Sequence, residues 1–142
     1  MTEPSTEVRL RIIVVAPPAD VMFCVQGKPG ELVDQVRSSG KDLTFELSVR
    51  LGPELPDGGL RFLGKHVQGP PSARFVYICS GSLAGDVGSC WTRRAKIPLS
   101  GITSAMVRTG RMLEARIAGR AGDGGPACAT VPLLGGGWRS VG

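Results

Sequence analysis

The sequence is poor in the residues that most often carry catalytic or metal chemistry. Its 142 residues include one histidine, four cysteines and seven aromatic residues. Any acid–base pair, catalytic triad or zinc site that uses imidazole must therefore depend on His66. The cysteines show no Cys-x-x-Cys spacing, so the usual patterns of a structural zinc site or a redox motif are missing. We predict no metal site, no cofactor and no disulfide.

Long apolar segments are also absent. The longest uninterrupted apolar run, Ile12 to Ala16, is far shorter than the roughly 20 residues that a membrane-spanning helix needs. The segment from Met1 to Glu7 is polar and acidic, unlike the basic start and apolar core of a secretory signal. We therefore predict a cytoplasmic protein with no membrane association. Residues 1–7 are expected to be a flexible N-terminal segment of a single domain that covers residues 1–142.

Signals for long helices are few, because the chain contains 21 glycines and 11 prolines, which destabilise helix interiors. Residues 43–51 instead show strict alternation, which predicts a strand with one buried face. The apolar positions, which we expect in the core, are Leu43, Phe45, Leu47, Val49 and Leu51. The polar positions, which we expect on the wetter face, are Thr44, Glu46, Ser48 and Arg50.

Weaker alternation predicts further short strands, and Gly or Pro residues bound each of them. The predicted strands are 8–15, 21–26, 74–80, 95–99, 112–117 and 128–134. One short helix is expected near 103–108, closed by Gly110. Without helices to connect parallel strands, the pattern predicts an all-β fold, an antiparallel β-sandwich or barrel of about seven strands. The glycine-rich segments 81–85 and 134–138 are interpreted as hairpin turns, and Phe75 as a core residue.

The net charge of +5 is unevenly distributed, at −1 for residues 1–71 and +6 for residues 72–142. Basic residues of the second half are therefore candidates for one basic face that holds an anionic ligand, an acidic protein surface or a nucleic-acid backbone. They include Arg74, Arg93, Arg94, Lys96, Arg108, Arg111, Arg116 and Arg120. Nucleic acid is the least favoured partner, because few aromatic residues are available for base stacking. An ordinary solvated strand face is the alternative.

Two segments combine polar and basic residues and are predicted to frame one binding surface. They are the long connection 52–72 and the segment 89–96. The binding candidates are His66, Gln68, Tyr77, Trp91, Arg93, Arg94 and Lys96. A long connection in a compact domain is often functional, but it can also be an inert cover over one end of a sheet. His66 is expected to be a solvent-exposed loop residue, because no nearby carboxylate prepares it for proton transfer.

An enzyme is the alternative class of function. Cys90 lies just before Trp91, Arg93 and Arg94, and cationic neighbours lower the pKa of a thiol and favour the nucleophilic thiolate. His66 would serve as the base, if the long connection folds back onto the strand. A buried cysteine at the start of a strand is the favoured interpretation of Cys90. The preferred hypothesis is therefore a non-catalytic ligand- or partner-binding module, with partner and ligand unknown.

Several segments resemble those of a known family. They are Phe62–Gly64, Val67–Pro71, Arg74–Tyr77, Ser89–Leu99, Leu113–Arg116 and Asp123–Pro126. On these residues the chain resembles an uncharacterised bacterial family of small proteins catalogued only as a domain of unknown function. The resemblance extends from Val8 to Trp138. It implies membership in that family and brings with it no activity, cofactor or site residue.

Overall fold

Nine β-strands and one short helix make up the part of the chain that the computed structural model describes, namely residues 6–26, 32–56, 59–82, 92–119 and 133–141. The strands are β1 (Thr6–Val15), β2 (Val21–Gln26), β3 (Leu32–Arg37), β4 (Leu43–Leu51), β5 (Phe62–Leu63), β6 (Phe75–Ser82), β7 (Thr92–Pro98), β8 (Met112–Ala118) and β9 (Leu134–Val141). Helix α1 (Ser104–Arg108) lies between β7 and β8. The predicted all-β fold with a single short helix is confirmed.

The strands form two sheets that pack on one shared core. The five-stranded sheet has the order β5-β4-β1-β8-β9, and the four-stranded sheet has the order β3-β2-β6-β7. Inward side chains of both sheets belong to the same buried cluster, which makes the fold a β-sandwich. Its fully buried members include Leu10, Ile12, Leu113 and Ile117 from the larger sheet and Phe23, Val25, Val76, Ile78 and Ile97 from the smaller one.

Strand β4 has the face assignment that its alternation predicts. Phe45, Leu47 and Val49 are buried, and Leu43 and Leu51 pack against the same core. The intervening residues 44, 46, 48 and 50 are all exposed. Because successive side chains of a strand point to opposite faces, this pattern fixes the register of β4 with respect to the core.

One strand pairing departs from the predicted antiparallel arrangement. Strand β1, at the centre of the larger sheet, pairs antiparallel with β4 but parallel with β8. The prediction assumed that a parallel pair needs a crossover helix. Here the chain between β1 and β8 crosses over through the whole four-stranded sheet instead. The second sheet therefore replaces the helix as the connection.

The C-terminal strand β9 is another departure, because residues 134–138 were interpreted as a hairpin turn. They belong to β9, which pairs with β8 along the edge of the larger sheet. The predicted strand 128–134 lies mostly outside the described residues. Glycine-rich sequence usually indicates a turn, but here it forms an irregular stretch of strand.

The sequence prediction also missed two other strands and misplaced the start of a third. Strands β3 and β5 were not predicted; β3 is an edge strand, and β5 is only two residues long. Strand β1 begins at Thr6, so Thr6 and Glu7 pair with β4, although a flexible segment was expected there. Phe75 was expected in the core, yet it lies on the outer side of the four-stranded sheet in a separate small cluster.

The two sheets are tied together at one edge by Trp138 of β9. Its ring is buried in the shared core, and its Nε1 donates a hydrogen bond of 2.8 Å to the carbonyl oxygen of Pro98 at the end of β7. Since Trp138 points inward, the next residue, Arg139, points outward. The anchored tryptophan thus fixes where the outward-facing Arg139 lies on the larger sheet.

Helix α1 matches the predicted helical turn. The Thr103 hydroxyl caps it by accepting a hydrogen bond from the backbone nitrogen of Met106 at 3.3 Å. Gly110 follows with φ of +68°, a conformation that glycine adopts without strain. Across the described ranges, no helix has the length and apolar character that crossing a membrane requires.

Candidate functional site

Three of the predicted binding residues gather around one ring on the outer face of the four-stranded sheet. Gln68 and Phe75 are paired through their backbones by two hydrogen bonds. In each of them the backbone nitrogen of one residue donates to the carbonyl oxygen of the other. Tyr77 meets Phe75 edge to face, with ring centroids 5.0 Å apart. The Lys96 ammonium lies 4.4 Å from the centre of the Phe75 ring. Gln68, Tyr77 and Lys96 are therefore brought together, around a phenylalanine that was not a candidate.

His66 lies in the long connection but is buried, with 7% of its surface exposed. The expectation of a solvent-exposed loop histidine is wrong, because the connection folds onto the sandwich. Phe62 enters the core and β5 pairs with β4. A shallow depression of about 390 Å³ remains on this connection, lined by Leu55, Pro56, Arg61, Pro71 and Ser72. Much of the connection thus serves as a structural cover.

The other candidates are described in part or not at all. Cys90 and Trp91 lie outside the described residues, as does Cys128. The backbones of Arg93 and Arg94 belong to β7, where Arg93 is paired with Cys79 and the register shifts at the next residue. The pairing of Cys90 with His66 stays a prediction. Within the described ranges, no three His, Cys, Asp or Glu side chains come together as metal ligands would.

Two thiols face each other on the same outer face as Phe75. Cys24 of β2 and Cys79 of β6 are directly paired across the strands, and both are buried as free cysteines. A hydrogen bond with Cys79, together with burial, raises the pKa of the Cys24 thiol far above its ordinary value. With Tyr77 and the partly buried Phe75 they form what we call the thiol–aromatic cluster. The Cys24 thiol is therefore uncharged at neutral pH.

The outer face of the five-stranded sheet has a different character. Strand register aligns four charged residues directly opposite one another, Glu46 on β4, Arg11 on β1, Glu114 on β8 and Arg139 on β9. Their charges alternate across the sheet. Arg116, two residues beyond Glu114 on the same strand, lies on the same face. We call these five residues the charged row.

The charged row converges on the carboxylate of Glu114. Oxygen Oε1 accepts from Nε of Arg116 at 3.2 Å and from Nη2 of Arg139 at 3.3 Å. Oxygen Oε2 accepts from Nη1 of Arg11 at 3.5 Å. Nη2 of Arg11 also lies 3.6 Å from Oε1 of Glu46. Three strands therefore supply the arginines that hold one carboxylate.

Glu114 is 5% exposed although it lies on an outer face. Desolvation by burial acts to raise the pKa of its carboxyl group, but the hydrogen bonds from Arg139, Arg116 and Arg11 outweigh it and hold the pKa below its ordinary value. Glu114 is therefore ionised at neutral pH. A buried carboxylate bound by several guanidinium groups fixes the positions of those groups.

The three arginines remain accessible at their outer sides. Their side chains are 35% exposed for Arg11, 45% for Arg116 and 55% for Arg139. Three guanidinium charges around the single carboxylate of Glu114 leave an excess of positive charge, which Glu46 reduces only at the Arg11 end. Each guanidinium carries five N–H donors, more than its contacts with Glu114 use. Chemically, the row offers oriented donors and positive charge to an anion.

Comparison with known families shows which family the chain belongs to. A model described as "Family of unknown function (DUF5990)" matches residues 8–141. The chain belongs to this family. Neither the curated proteins nor the solved structures provide a match for it. The resemblance to a family of unknown function is confirmed. The family brings no site residue, so the charged row is a candidate site that rests on the structure of this DUF5990 chain itself.

Sequence reasoning found only Arg116 of the charged row as a basic candidate. Arg11 and Arg139 come from opposite ends of the DUF5990 chain, and Glu114, which lies in the predicted strand 112–117, was not a candidate. The register of β1 with β8 brings them together, and that register is parallel where antiparallel pairing was expected. Arg116 and Lys96, expected on one basic face, lie on the outer faces of different sheets. The alternation of β1 and β8 was a usable signal, because it put Arg11 and Glu114 on outward faces.

Proposed function

We propose that this chain is a non-catalytic binding module that holds an anionic ligand, or an acidic surface of a protein partner, on the charged row. The observation that carries this proposal is the convergence of three arginines on the buried carboxylate of Glu114. Arg116 and Arg139 would contact the ligand, since they are the most exposed of the three.

Preorganisation supports binding at this place. A free arginine side chain loses roughly 2 kcal/mol of rotamer entropy when it is fixed on a ligand. Here Glu114 already restrains Arg11, Arg116 and Arg139, so much of that entropy is lost on folding and not on binding. An incoming anion would add contacts to guanidinium groups whose positions are set.

The supply of hydrogen-bond donors supports the same choice over the surface predicted from sequence. On the four-stranded sheet, the Lys96 ammonium already lies on the Phe75 ring. On the five-stranded sheet, three guanidinium groups lie around Glu114, and Glu46 offsets Arg11. A guanidinium carries five N–H donors and an ammonium carries three, so the charged row offers an anion more oriented donors.

Binding of a fluorescein-labelled oligoglutamate peptide, followed by fluorescence anisotropy at low ionic strength, tests the proposal. Arg139→Gln should weaken binding about fivefold, equal to about 1 kcal/mol. The double variant Arg116→Gln/Arg139→Gln should weaken it by an order of magnitude or more, and added salt should weaken the wild type as well. Unchanged affinity in the double variant would contradict the proposal.

Arg37→Gln is the matched control for the same charge change. Arg37 also forms an exposed ion pair, at 2.7 Å with Asp20, but it lies on the four-stranded sheet. Its affinity for the peptide should stay within about twofold of wild type. Equal losses in Arg37→Gln and Arg139→Gln would mean that the peptide responds only to overall charge.

A cytoplasmic location is part of the same proposal. Cys24 and Cys79 face each other across two strands as free thiols, which a reducing compartment maintains. Fractionation of cells that express the chain with a C-terminal epitope tag should recover it with the cytoplasmic proteins. Recovery in an extracytoplasmic fraction would contradict this part of the proposal.

A further inference from the structure

The edge strand β9 contains an irregularity beside the charged row. Leu134 is paired with Arg116 of β8, and Arg139 is paired with Glu114. Between these two pairs β8 has one residue, Ala115, whereas β9 has residues 135–138. Strand β9 therefore bulges outward from the regular ladder by several residues. We call Gly135, Gly136 and Gly137 the glycine bulge.

The glycine bulge has an unusual backbone conformation. Its three glycines have φ values of +64°, +91° and +96°, a region that other residues rarely adopt. A Cβ atom on any of them would meet no atom within 4 Å. At Gly69, by contrast, a Cβ would lie 2.5 Å from the ring of Phe75. The bulge glycines are therefore required by the conformation of an open backbone alone, whereas Gly69, with φ of +94°, is required by both conformation and close packing.

The glycine bulge is flanked by the two most exposed arginines of the charged row. It follows the strand partner of Arg116 and ends two residues before Arg139. Arg116 and Arg139 each contact the same oxygen of Glu114, so their guanidinium groups are close together. Successive backbone amides in a turn conformation form concavities that bind anions, and the positive φ values of the bulge take its backbone out of the extended ladder into a turn. Open backbone and excess positive charge thus occur side by side at one sheet edge.

We propose that the glycine bulge, Arg116 and Arg139 together form a site for a phosphate group, either inorganic phosphate or a phosphate monoester. This inference rests on the proposed anion-binding function and names its ligand. The backbone amides of the bulge donate hydrogen bonds to phosphate oxygens, and the two guanidinium groups supply charge and further donors. A tetrahedral phosphate has oxygens outside a single plane, so it accepts from the bulge and from both arginines at once.

An NMR titration of the uniformly ¹⁵N-labelled chain tests this inference and separates it from the proposed function. Inorganic phosphate is one arm, N-acetyl-phosphoserine amide is the second, and sodium chloride of equal ionic strength is the control. The backbone amides of residues 135–137 and the Nε–H signals of Arg116 and Arg139 should shift together along one saturating curve. Chloride should not reproduce the shifts, and the amide of Gly40, which donates to Ser38 Oγ, should stay unchanged in all arms.

The outcomes distinguish the two proposals. Saturation in either phosphate arm supports the site, and the arm that binds more tightly identifies free phosphate or a phosphate ester as the ligand class. If the arginine signals shift and the glycine amides do not, anion binding at the row stands and the phosphate site is overturned. If neither set shifts and oligoglutamate also fails to bind, both proposals fail.

Gly136→Ala gives an independent measurement on the same site. The new methyl group meets open space, but a φ of +91° is unfavourable for alanine, so the bulge must change its conformation. Phosphate affinity should fall about fivefold or more, while affinity for oligoglutamate should change less than twofold. Unchanged phosphate affinity in a variant whose bulge amides have moved in the NMR spectrum would overturn the role of the bulge.

Discussion

The two outer faces of this sandwich cover the same core with opposite chemistry. On the five-stranded sheet, Glu114 is buried as an anion among guanidinium groups of the charged row. On the four-stranded sheet, Cys24 and Cys79 are buried as neutral thiols in the thiol–aromatic cluster. Polar groups can be buried outside a core if they are paired or if they stay uncharged. The five-stranded sheet meets the first condition and the four-stranded sheet meets the second.

The difference decides which face is suited to bind an anion. In the thiol–aromatic cluster, the hydrogen bond with Cys79 and burial raise the pKa of Cys24 and keep it neutral, and Lys96 lies on the Phe75 ring. In the charged row, pairing leaves an excess of positive charge that remains partly exposed. The two faces should therefore respond differently to truncation, salt, acid and alkali.

The largest expected effect belongs to the core that both faces cover. Phe45→Ala should lower the free energy of unfolding by about 3–5 kcal/mol, through lost burial and a residual cavity. Glu46→Ala, the next residue on the outer face, should cost less than about 1 kcal/mol, because its ion pair with Arg11 is partly exposed. Urea denaturation measures both values. Equal losses would mean that inner and outer sides of β4 do not differ as described.

Glu114→Gln should have the next largest effect. It removes the charge that offsets Arg11, Arg116 and Arg139, so the free energy of unfolding should fall by about 1–2 kcal/mol at low ionic strength. The arginines are partly exposed, which keeps the loss below that of a fully buried pair. Salt should reduce the loss by screening the repulsion. Glu46→Gln is the control, with a loss of less than about 0.5 kcal/mol expected.

Acid should lower the free energy of unfolding by protonating Glu114 of the charged row. The pKa of Glu114 is lowered on folding, so the folded chain binds its proton less readily than the unfolded chain, where a glutamate has a pKa of about 4.3. The stabilisation is present above that value and is lost as the pH falls through the lower, folded pKa. Stability curves of the wild type should therefore drop more steeply below about pH 4.3 than those of Glu114→Gln. Parallel acid limbs for the two proteins would contradict this assignment.

Alkali should act on the thiol–aromatic cluster, where stability is lost as the pH rises and not as it falls. The hydrogen bond with Cys79 and burial raise the pKa of Cys24, so the folded chain keeps a proton that the unfolded chain loses near pH 8.5. This stabilisation is present below about pH 8.5 and declines above it. Cys24→Ala should flatten the alkaline limb of the stability curve. An alkaline limb as steep as that of the wild type would show that Cys24 does not titrate in this way.

The smallest expected effect on stability belongs to a measurement of thiol reactivity. It compares the reaction rate of the thiols in the native chain with the rate in the chain unfolded by urea. In a Cys90→Ser/Cys128→Ser background, the remaining thiols are Cys24 and Cys79, which are both buried, and the pKa of Cys24 is raised. Their reaction with a disulfide reagent should be at least about a hundredfold slower in the native chain than in urea, because thiolate and access are both scarce. Native and unfolded rates of similar size would contradict the burial of the pair.

Local periodicity predicted the parts of the fold that depend on one strand at a time. The alternation of β4 placed Phe45 and Glu46 on opposite faces, and the structure has them there. The capped turn before Gly110 was also predicted, since Thr103 and Gly110 are local signals. Strand β9 was missed because its glycines resemble a turn, and only pairing with β8 makes that segment a strand.

The candidate site was harder to predict because it depends on register between distant strands. Nothing local indicates that Arg11 lies opposite Glu114, or that Arg139 completes the row from the other side. Gln68, Tyr77 and Lys96 were binding candidates on chemical grounds, and pairing between neighbouring segments brings them near one another. A pattern of alternating charge across strands becomes visible only when the order β4-β1-β8-β9 is known.

An anion should bind beside the charged row and not on the thiol–aromatic face. Crystals of the full chain grown without sulfate or phosphate, then soaked in selenate, would locate a tetrahedral oxyanion by its anomalous scattering. We expect the strongest anomalous peak, which marks the selenium atom, within about 4 Å of the guanidinium nitrogens of Arg116 and Arg139, because a selenate oxygen lies between selenium and each nitrogen, at a position that no neighbouring molecule touches. A strongest peak beside Lys96, with none near Arg116 and Arg139, would contradict it.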